Sequence, residues 1–407
     1  MKNSSVIFIE SNTSGTGRLF AQAAEGYGYR PVLLAETPER YPYLKQDSVA
    51  FYQCNTSSLS DLCSTVDLLS RETEVAGIFS SSEYFIETAA AVAQKFGLSA
   101  ADPAALQSCR NKWVQRKLLQ SAGLNVPAFE RLTSLADARE ALQRIPLPVV
   151  LKPTMGTGSV GVRLCSTADE VLEHAVHLLA RTVNERGMAV PSELLLEQFV
   201  QGPEYSVETF GGEVIGITRK HVSPEPFFVE LGHDFPAVLA LPIKEQILAT
   251  VKHALRAMGL GWGPAHIELR LAESGLTIIE INPRLAGGFI PEIVRLALGV
   301  DIIRQTVRQV VGDKPELSPR QSAYASIRFL VPAASGIIRN FAGLDEAWKV
   351  EGVKDIQTYR KVGDRVQLEN DFRDRIGHLI SCADLQLSAV QSAELARSKI
   401  QVQVEPQ

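Results

Sequence analysis

A glycine-rich turn entered from one strand and left by another constrains this chain more than any other feature. Pro148-Val149-Val150-Leu151-Lys152-Pro153 has strand character, Gly156-Thr157-Gly158-Ser159-Val160-Gly161 follows, and a second strand runs over 161–165 before a helix begins at Ala168. The spacing G-x-G-x-x-G suits a dinucleotide site when a helix follows, because the pyrophosphate then rests on the helix N-terminus. A following strand instead makes a hairpin flap that can lie over phosphates, with Gly158 and Ser159 at its tip. Val162 after Gly161 breaks any G-K-[ST] pattern, so this is not a Walker A loop. A plain hairpin turn is the simpler alternative.

Lys152 ends the buried strand just ahead of the flap, where a lysine needs an anion and could hold a phosphate as a point charge. Lys112 opens a helix after Asn111 and could do the same from another side, or be a solvated helix lysine.

A second constellation lies downstream. His266-Ile267-Glu268-Leu269-Arg270 and Ile278-Ile279-Glu280-Ile281-Asn282-Pro283-Arg284 read as two strands of a hairpin, with Gly275 near the reversal. Glu280 and Asn282 are two apart and share a face, and Glu268 on the neighbouring strand comes within reach. Three hard oxygen ligands suit magnesium, which is usually shared between one or two carboxylates and substrate phosphates. Arg284, further along the same face, adds a cation that can hold an anionic group bidentately. His266 shares this face as a substrate or phosphate contact, or as a hydrogen-bonded structural histidine.

Between these segments, Leu194-Leu195-Leu196-Glu197-Gln198-Phe199-Val200 runs into the polar turn Gln201-Gly202-Pro203-Glu204. An apolar strand ending in a hinge suits adenine, which needs backbone groups at its edge and apolar faces above and below, and Glu204 is placed for ribose hydroxyls. An ordinary strand end is the bland reading. His174 and His177 are three apart on an expected helix, but no further ligand is evident and a solvated face is preferred. Arg328 lies in the strand Ser326-Ile327-Arg328-Phe329 and reads as a surface arginine that could reach the cleft.

The 407 residues leave room for two or three domains. From residue 6 to about 100, strands and helices alternate (Val6 to Ile9, a helix after Gly17, Pro31 to Leu34, Val75 to Phe79, a helix from Glu83), which implies a parallel sheet. The loop Ser11 to Gly17 reads as a polar turn rather than a nucleotide site, because Phe20 stands where a small residue is needed. A helical pair over 103–122 and a helix over 136–144 follow, and Gly312-Asp313-Lys314-Pro315 marks a boundary. The expected division is an N-terminal α/β domain over 1–105, a central domain over 106–312 with a flap at about 145–212, and a C-terminal α+β lobe over 313–407 that completes the substrate site. A net charge of -5 offers no basic stripe for nucleic acid, and no segment reads as a membrane span. Five scattered cysteines, without a C-x-x-C, fit a reducing cytoplasm.

Lys112, Lys152, the glycine flap, Glu197-Gln198-Phe199-Val200 with Glu204, and Glu268 with Glu280-x-Asn282-x-Arg284 occur in an order that resembles the ATP-grasp superfamily over residues 106 to 300. The segment Lys220 to Phe228, the pair Gly232-His233 and the C-terminal lobe look like the L-amino acid ligases that make dipeptides. The resemblance implies an ATP-grasp fold with ATP clamped between two lobes. Lys112, Lys152, Gly158 and Ser159 would meet phosphates, residues 197 to 200 adenine, and Glu204 ribose. Glu268, Glu280 and Asn282 would hold two magnesium ions, with manganese as a substitute. Arg284, His266 and Lys220 make up the catalytic set. Small carboxylate and amine substrates are implied, and a homodimer is allowed.

The expected chemistry is attack of a carboxylate on the γ-phosphoryl group, then of an amine on the acyl phosphate, with the flap and the Ser223 to His233 loop excluding water. Two alternatives remain at this level: a bicarbonate- or formyl-using enzyme with the same ATP site, and a nucleotide-binding regulatory protein without turnover.

Overall fold

The computed structural model describes residues 4–13, 15–184 and 186–406; Met1 to Asn3 of the opening segment and Ser14 of the polar N-terminal loop lie outside them. Strands Ser4–Ile9, Arg30–Ala35, Ala50–Gln53 and Glu74–Phe79 form a parallel sheet in the order third, second, first, fourth. The first strand is buried along its whole length because helices cover both faces. Val6 and Phe8 pack on helices Thr16–Gly26 and Ile302–Val310, while Ile7 and Ile9 pack on Leu59–Ser70 and Ile86–Lys95. Helix Ile302–Val310 comes from the far side of the chain and ties the N-terminal sheet to the rest. The helix expected from Glu83 starts at Ile86, since Ser82 O first accepts the amides of Phe85 and Ile86 at 2.9 and 3.1 Å in a turn.

The flap sheet is antiparallel, in the order Phe129–Leu132, Leu194–Gln198, Val149–Pro153, Arg163–Cys165. Helices Leu135–Arg144 and Ala168–Leu179 cover one face, and each starts with a capping box, Ser134 with Asp137 and Thr167 with Glu170. This sheet takes a strand upstream of residue 145, and Glu204–Phe210 belongs to the large sheet instead.

That large sheet has eight strands: Gly275–Asn282, Pro264–Ala272, Glu204–Phe210, Glu213–Val222, Glu230–Phe235, Tyr324–Leu330, Gly377–Ala383 and Val353–Thr358. Its last three come from beyond residue 312, so the C-terminal lobe extends the central sheet rather than standing beside it. Strand Pro264–Ala272 shows how the sheet builds a site. Ile267 and Leu269 pack against Ile247 and Val251 of helix Leu241–Ala257, and alternation sends His266, Glu268 and Arg270 to the other face. Opposite it, the register shifts between Glu268 and Leu269, which pair with Glu280 and Ile278. Ile279 is the extra residue of this bulge, so Ile279 and Glu280 both face the cleft while Ile278 and Ile281 stay in the core. Among the described residues no helix is long and apolar enough to cross a membrane.

Candidate active site

The flap sheet and the large sheet face one another across a cleft with about 1190 Å³ of space open to solvent. Its walls bring together the residues read from sequence as the nucleotide, metal and catalytic set: Lys112, Lys152, Gly158, Ser159, Glu197, Gln198, Phe199, Val200, Glu204, Lys220, His266, Glu268, Glu280, Asn282 and Arg284.

Lysines and carboxylates pair along the walls of this cleft. Lys112, at the start of a helix capped by the Asn111 side chain, places Nζ 2.8 Å from Glu280 and donates to the Gly156 carbonyl at 2.8 Å. Burial disfavours its charge, but Glu280 and Glu83 outweigh this and raise the ammonium above the usual lysine value. Lys152 meets Glu197, whose other oxygen takes Arg116 Nε at 2.5 Å. Here burial wins, with Arg116 adding repulsion, and Lys152 is pushed below the usual lysine value despite Glu197. The Glu197 carboxylate thus orients a lysine rather than a base. The amides of Gln198 and Phe199 are also engaged, with Ala128 O at 2.8 Å and Pro148 O at 3.2 Å.

Phe199 and Phe228 stack with centroids 6.1 Å apart, and the Arg270 guanidinium lies 5.4 and 5.2 Å from the two rings. Arg270 also donates to Glu204 at 2.8 and 3.1 Å and to Val200 O at 2.9 Å. Three carboxylates surround Lys220 Nζ: Glu268 at 2.6 Å, Glu230 at 2.9 Å and Glu204 at 3.0 Å. Against the cost of burial, these carboxylates raise Lys220 well above the usual lysine value. His266 lies between Glu208 and Glu268, 3.1 Å from each. Burial opposes its charge, yet Glu208 first and Glu268 second lift it to about 9, so it is an imidazolium at neutral pH.

Arg284 donates Nε to Glu83 at 2.8 Å and Nη2 to Thr157 Oγ1 of the flap at 3.0 Å. The flap tip rests on the other lid elements. Ser159 Oγ donates to Phe228 O at 3.4 Å, and the Phe372 amide donates to Gly158 O at 3.3 Å. Gly158 has φ +66°, and a Cβ there would lie 2.4 Å from the Phe372 ring, so only glycine allows this approach.

Several contributors were not read from sequence, Glu208 beside His266 among them. Glu83 follows the strand Glu74–Phe79 at its carboxyl end, where open α/β sheets place ligands, and that position was a usable signal. Glu230 and Arg375 carry no local pattern, and Arg116 reads as an ordinary helix arginine although it is fully buried. Two readings are corrected. Arg328 is neither on the surface nor in the cleft; it is buried between Asp234 at 2.8 Å and Glu394 at 2.6 Å. His174 is not on a fully solvated face, since it is half-buried and its Nε2 lies 2.9 Å from Gly161 O, holding the helix to the base of the flap.

Two sheets that close on a cleft of paired lysines and carboxylates define a clamp of the ATP-grasp class. Residues 145–292 match the ATP-grasp domain and residues 328–405 match L-amino acid ligase C-terminal domain 2. Uncharacterized protein y4rH of Sinorhizobium fredii is 36% identical over 98% of this chain and 83% of its own length. Carnosine synthase 1 of Homo sapiens is 28% identical over 74% of this chain, which spans only 39% of that protein. The L-amino acid ligase of Bacillus licheniformis shares the fold over both whole chains, with a TM-score of 0.82 at 22% identity. The chain belongs to the ATP-grasp family, in the branch that carries the L-amino acid ligase C-terminal domain.

Proposed function

We propose that this chain is an ADP-forming ligase that activates a carboxylate as an acyl phosphate and couples it to an amine. The observation that supports this most is the convergence of Glu268, Glu280 and Asn282 with Arg284 on one wall of the cleft, opposite Lys112 and Lys152. Merely holding a nucleotide needs no such set of metal oxygens beside a cation for the transferred group.

The donor set fits a divalent metal. Glu268, Glu280 and Asn282 are hard oxygen donors on one face, and Lys220 and Lys112 now neutralise the two carboxylates. Magnesium bound there would neutralise phosphate oxygens during transfer, and manganese suits the same oxygens. In this reading Lys112 and Lys152 hold phosphates beneath Gly158 and Ser159. Phe199, Phe228, Val150 and Ile279 enclose the base, and Glu204 takes the ribose hydroxyls.

A substrate carboxylate oxygen attacks the γ-phosphorus. The new P–O bond forms as the bond to the β-phosphate bridging oxygen breaks, and ADP departs. The amine then attacks the acyl carbon, and inorganic phosphate leaves with the C–O bond electrons and takes up the proton that the amine gives up. Arg284, held by Glu83 and Thr157, meets the phosphoryl group and the developing oxyanion, and the His266 imidazolium supports that charge from beside Glu268. The flap, resting on Phe228 and Phe372, keeps water from the acyl phosphate.

The test is ADP release that requires both a carboxylic acid and an amine, with the amide product identified by mass spectrometry. Tight ATP binding with no turnover for any pair would favour a regulatory nucleotide-binding protein instead.

A further inference from the structure

The flap domain reaches the N-terminal domain as well as the cleft. Between helix Ala168–Leu179 and strand Leu194–Gln198 the chain turns back on itself, with Val183 bridging Ala189 and the Val190 amide donating to Thr182 O at 3.1 Å. Asn184 builds the turn. Its Oδ1 accepts the amides of Arg186 and Met188 at 2.9 and 3.0 Å, and its own amide donates to Met188 O at 2.9 Å. Gly187 has φ +78°, a left-handed conformation that glycine takes without strain. Arg186 is thus projected from a turn fixed by its own hydrogen bonds.

Its target is the carboxyl end of the parallel N-terminal sheet. Nη2 donates to Ser11 O at 2.6 Å and Nη1 to the Tyr41 hydroxyl at 3.3 Å, while Arg40 Nη1 donates to Arg186 O at 3.0 Å. Tyr41 is buried and donates to Glu10, a buried side chain that also accepts from the Glu36 amide at 2.8 Å and Thr56 Oγ1 at 2.9 Å. One hydroxyl therefore separates the guanidinium from an acidic group that the sheet holds in place. The same end of the sheet leads back to the reacting groups. Ser81 Oγ lies 3.1 Å from Ser11 Oγ and accepts the Asn12 amide at 3.0 Å. Just beyond, Glu83 holds Arg284, and the ring of Tyr84 lies 5.9 Å from the Arg186 guanidinium. Arg284 in turn donates to Thr157 of the flap at 3.0 Å. Flap, N-terminal domain and Arg284 thus form a closed ring of contacts.

We propose that Arg186 is a positioning residue that latches the flap domain onto the loops of Ser11 and Glu83, so that closure of the flap over the nucleotide and the aim of Arg284 are set together. The proposal rests on the ligation reading above and adds to it a residue that does not line the cleft. Glu83 can fix Arg284 only as firmly as its own loop is fixed. That loop is tied to Asn12 and Ser11 through Ser81, and Arg186 ties the same segment to the flap through the planar fork of its guanidinium. With the latch released, Thr157 and Glu83 are free to part, and the arginine between them loses its fixed direction.

Two measurements separate the latch from the chemistry. Hydrogen–deuterium exchange with a non-hydrolysable ATP analogue and magnesium reads the latch without turnover. In the native protein the analogue should slow exchange at the glycine flap, around Arg186, and at the Phe85 and Ile86 amides, which bond to Ser82 O behind Glu83. In Arg186→Ala the glycine flap should still slow, which shows that the variant is folded and binds the analogue, while the protection of Phe85 and Ile86 is lost. Equal protection there in both proteins would overturn the latch, and no protection of the flap in the native protein would remove the nucleotide reading with it. Should Arg186→Ala not fold, Arg186→Gln and Arg186→Lys carry the same comparison, the lysine recovering part of the protection. The second measurement is ADP release with hydroxylamine as nucleophile and a panel of carboxylic acids that includes the common L-amino acids. Arg186→Ala should lower kcat by about tenfold, part of the loss that about an ångström of misplacement brings. In a Glu83→Gln background the same substitution should cost less than about twofold, because Arg284 has already lost its hold, whereas independent sites would multiply. A full loss in both backgrounds would overturn the link to Arg284. No ADP release from the native protein with any acid would remove the ligation reading and that link together, whatever the exchange measurement shows.

Discussion

Arg284 and Glu83 join the large sheet to the N-terminal domain: the guanidinium donates Nε at 2.8 Å and Nη2 lies 2.6 Å from the same carboxylate oxygen. Glu83 is held below the usual carboxylate range because Arg284 and Lys112 outweigh the cost of burying it. The N-terminal domain thus sets the aim of the arginine assigned to the transferred group. Glu83→Gln keeps the size and removes the charge that holds Arg284. We expect kcat to fall by roughly 10- to 100-fold, as for a catalytic group displaced by about an ångström, with ATP affinity within about threefold of native. Initial rates and ATP titration check this, and a kcat within twofold of native would exclude the positioning role.

The metal wall makes a sharper prediction. Glu280 is both the partner of Lys112 at 2.8 Å and a proposed metal ligand. Glu280→Gln should lower ADP formation by roughly a thousandfold, since a metal loses a charged ligand and the transferred group loses its neutralisation. The fold should survive, because Glu280 faces the cleft rather than the core. A chelator should silence the native enzyme in the same assay, and added magnesium or manganese should restore it. Activity within a few-fold of native in Glu280→Gln would show that the metal lies elsewhere.

Much of this wall could be read from the chain because alternation in a strand is local information. Glu268, Glu280 and Asn282 were placed on one face by spacing alone, and only the bulge at Ile279, which depends on pairing with the neighbouring strand, was out of reach. The parallel N-terminal sheet followed from alternating strands and helices, but strand Ala50–Gln53 did not, since it is a short edge strand with half its residues exposed. Arg116 and Glu197 mark a different limit. Their ion pair spans 81 residues and is wholly buried, and nothing in a helix sequence tells a buried arginine from a solvated one. Arg375 needed the C-terminal lobe to be seen as part of the large sheet.

Lys152, Glu197 and Arg116 allow stability and ligand binding to be separated. Glu197 neutralises two buried cations at once, so Glu197→Gln should destabilise the protein by about 3–5 kcal/mol, the cost of breaking a buried pair from one side. Lys152→Ala leaves Arg116 with Glu197 at 2.5 Å and should cost far less stability. It should nevertheless weaken ATP binding by roughly 10- to 100-fold if the ammonium meets a phosphate. Denaturant melts and ATP titrations on both variants check the pair, and unchanged ATP affinity in Lys152→Ala would count against the phosphate role.

Asp234 ties the C-terminal lobe to the central sheet, accepting from Arg328 at 2.8 Å and contacting His221 at 2.6 Å. Despite the cost of burial, His221 and Arg328 hold its carboxyl far below the ordinary range. A depressed carboxyl pKa contributes stability that is fully present above the unfolded value near 3.9 and is lost as pH falls toward the folded value. Asp234→Asn should therefore cost about 3–5 kcal/mol at pH 7, where Arg328 is left buried with only the half-exposed Glu394 as a charged partner. The gap between native and variant should narrow below about pH 4, as the native carboxylate takes up protons on unfolding. Urea unfolding of both proteins across that range measures it. A gap as wide at pH 3 as at pH 7 would mean that packing, not the charge of Asp234, joins the two halves of the sheet.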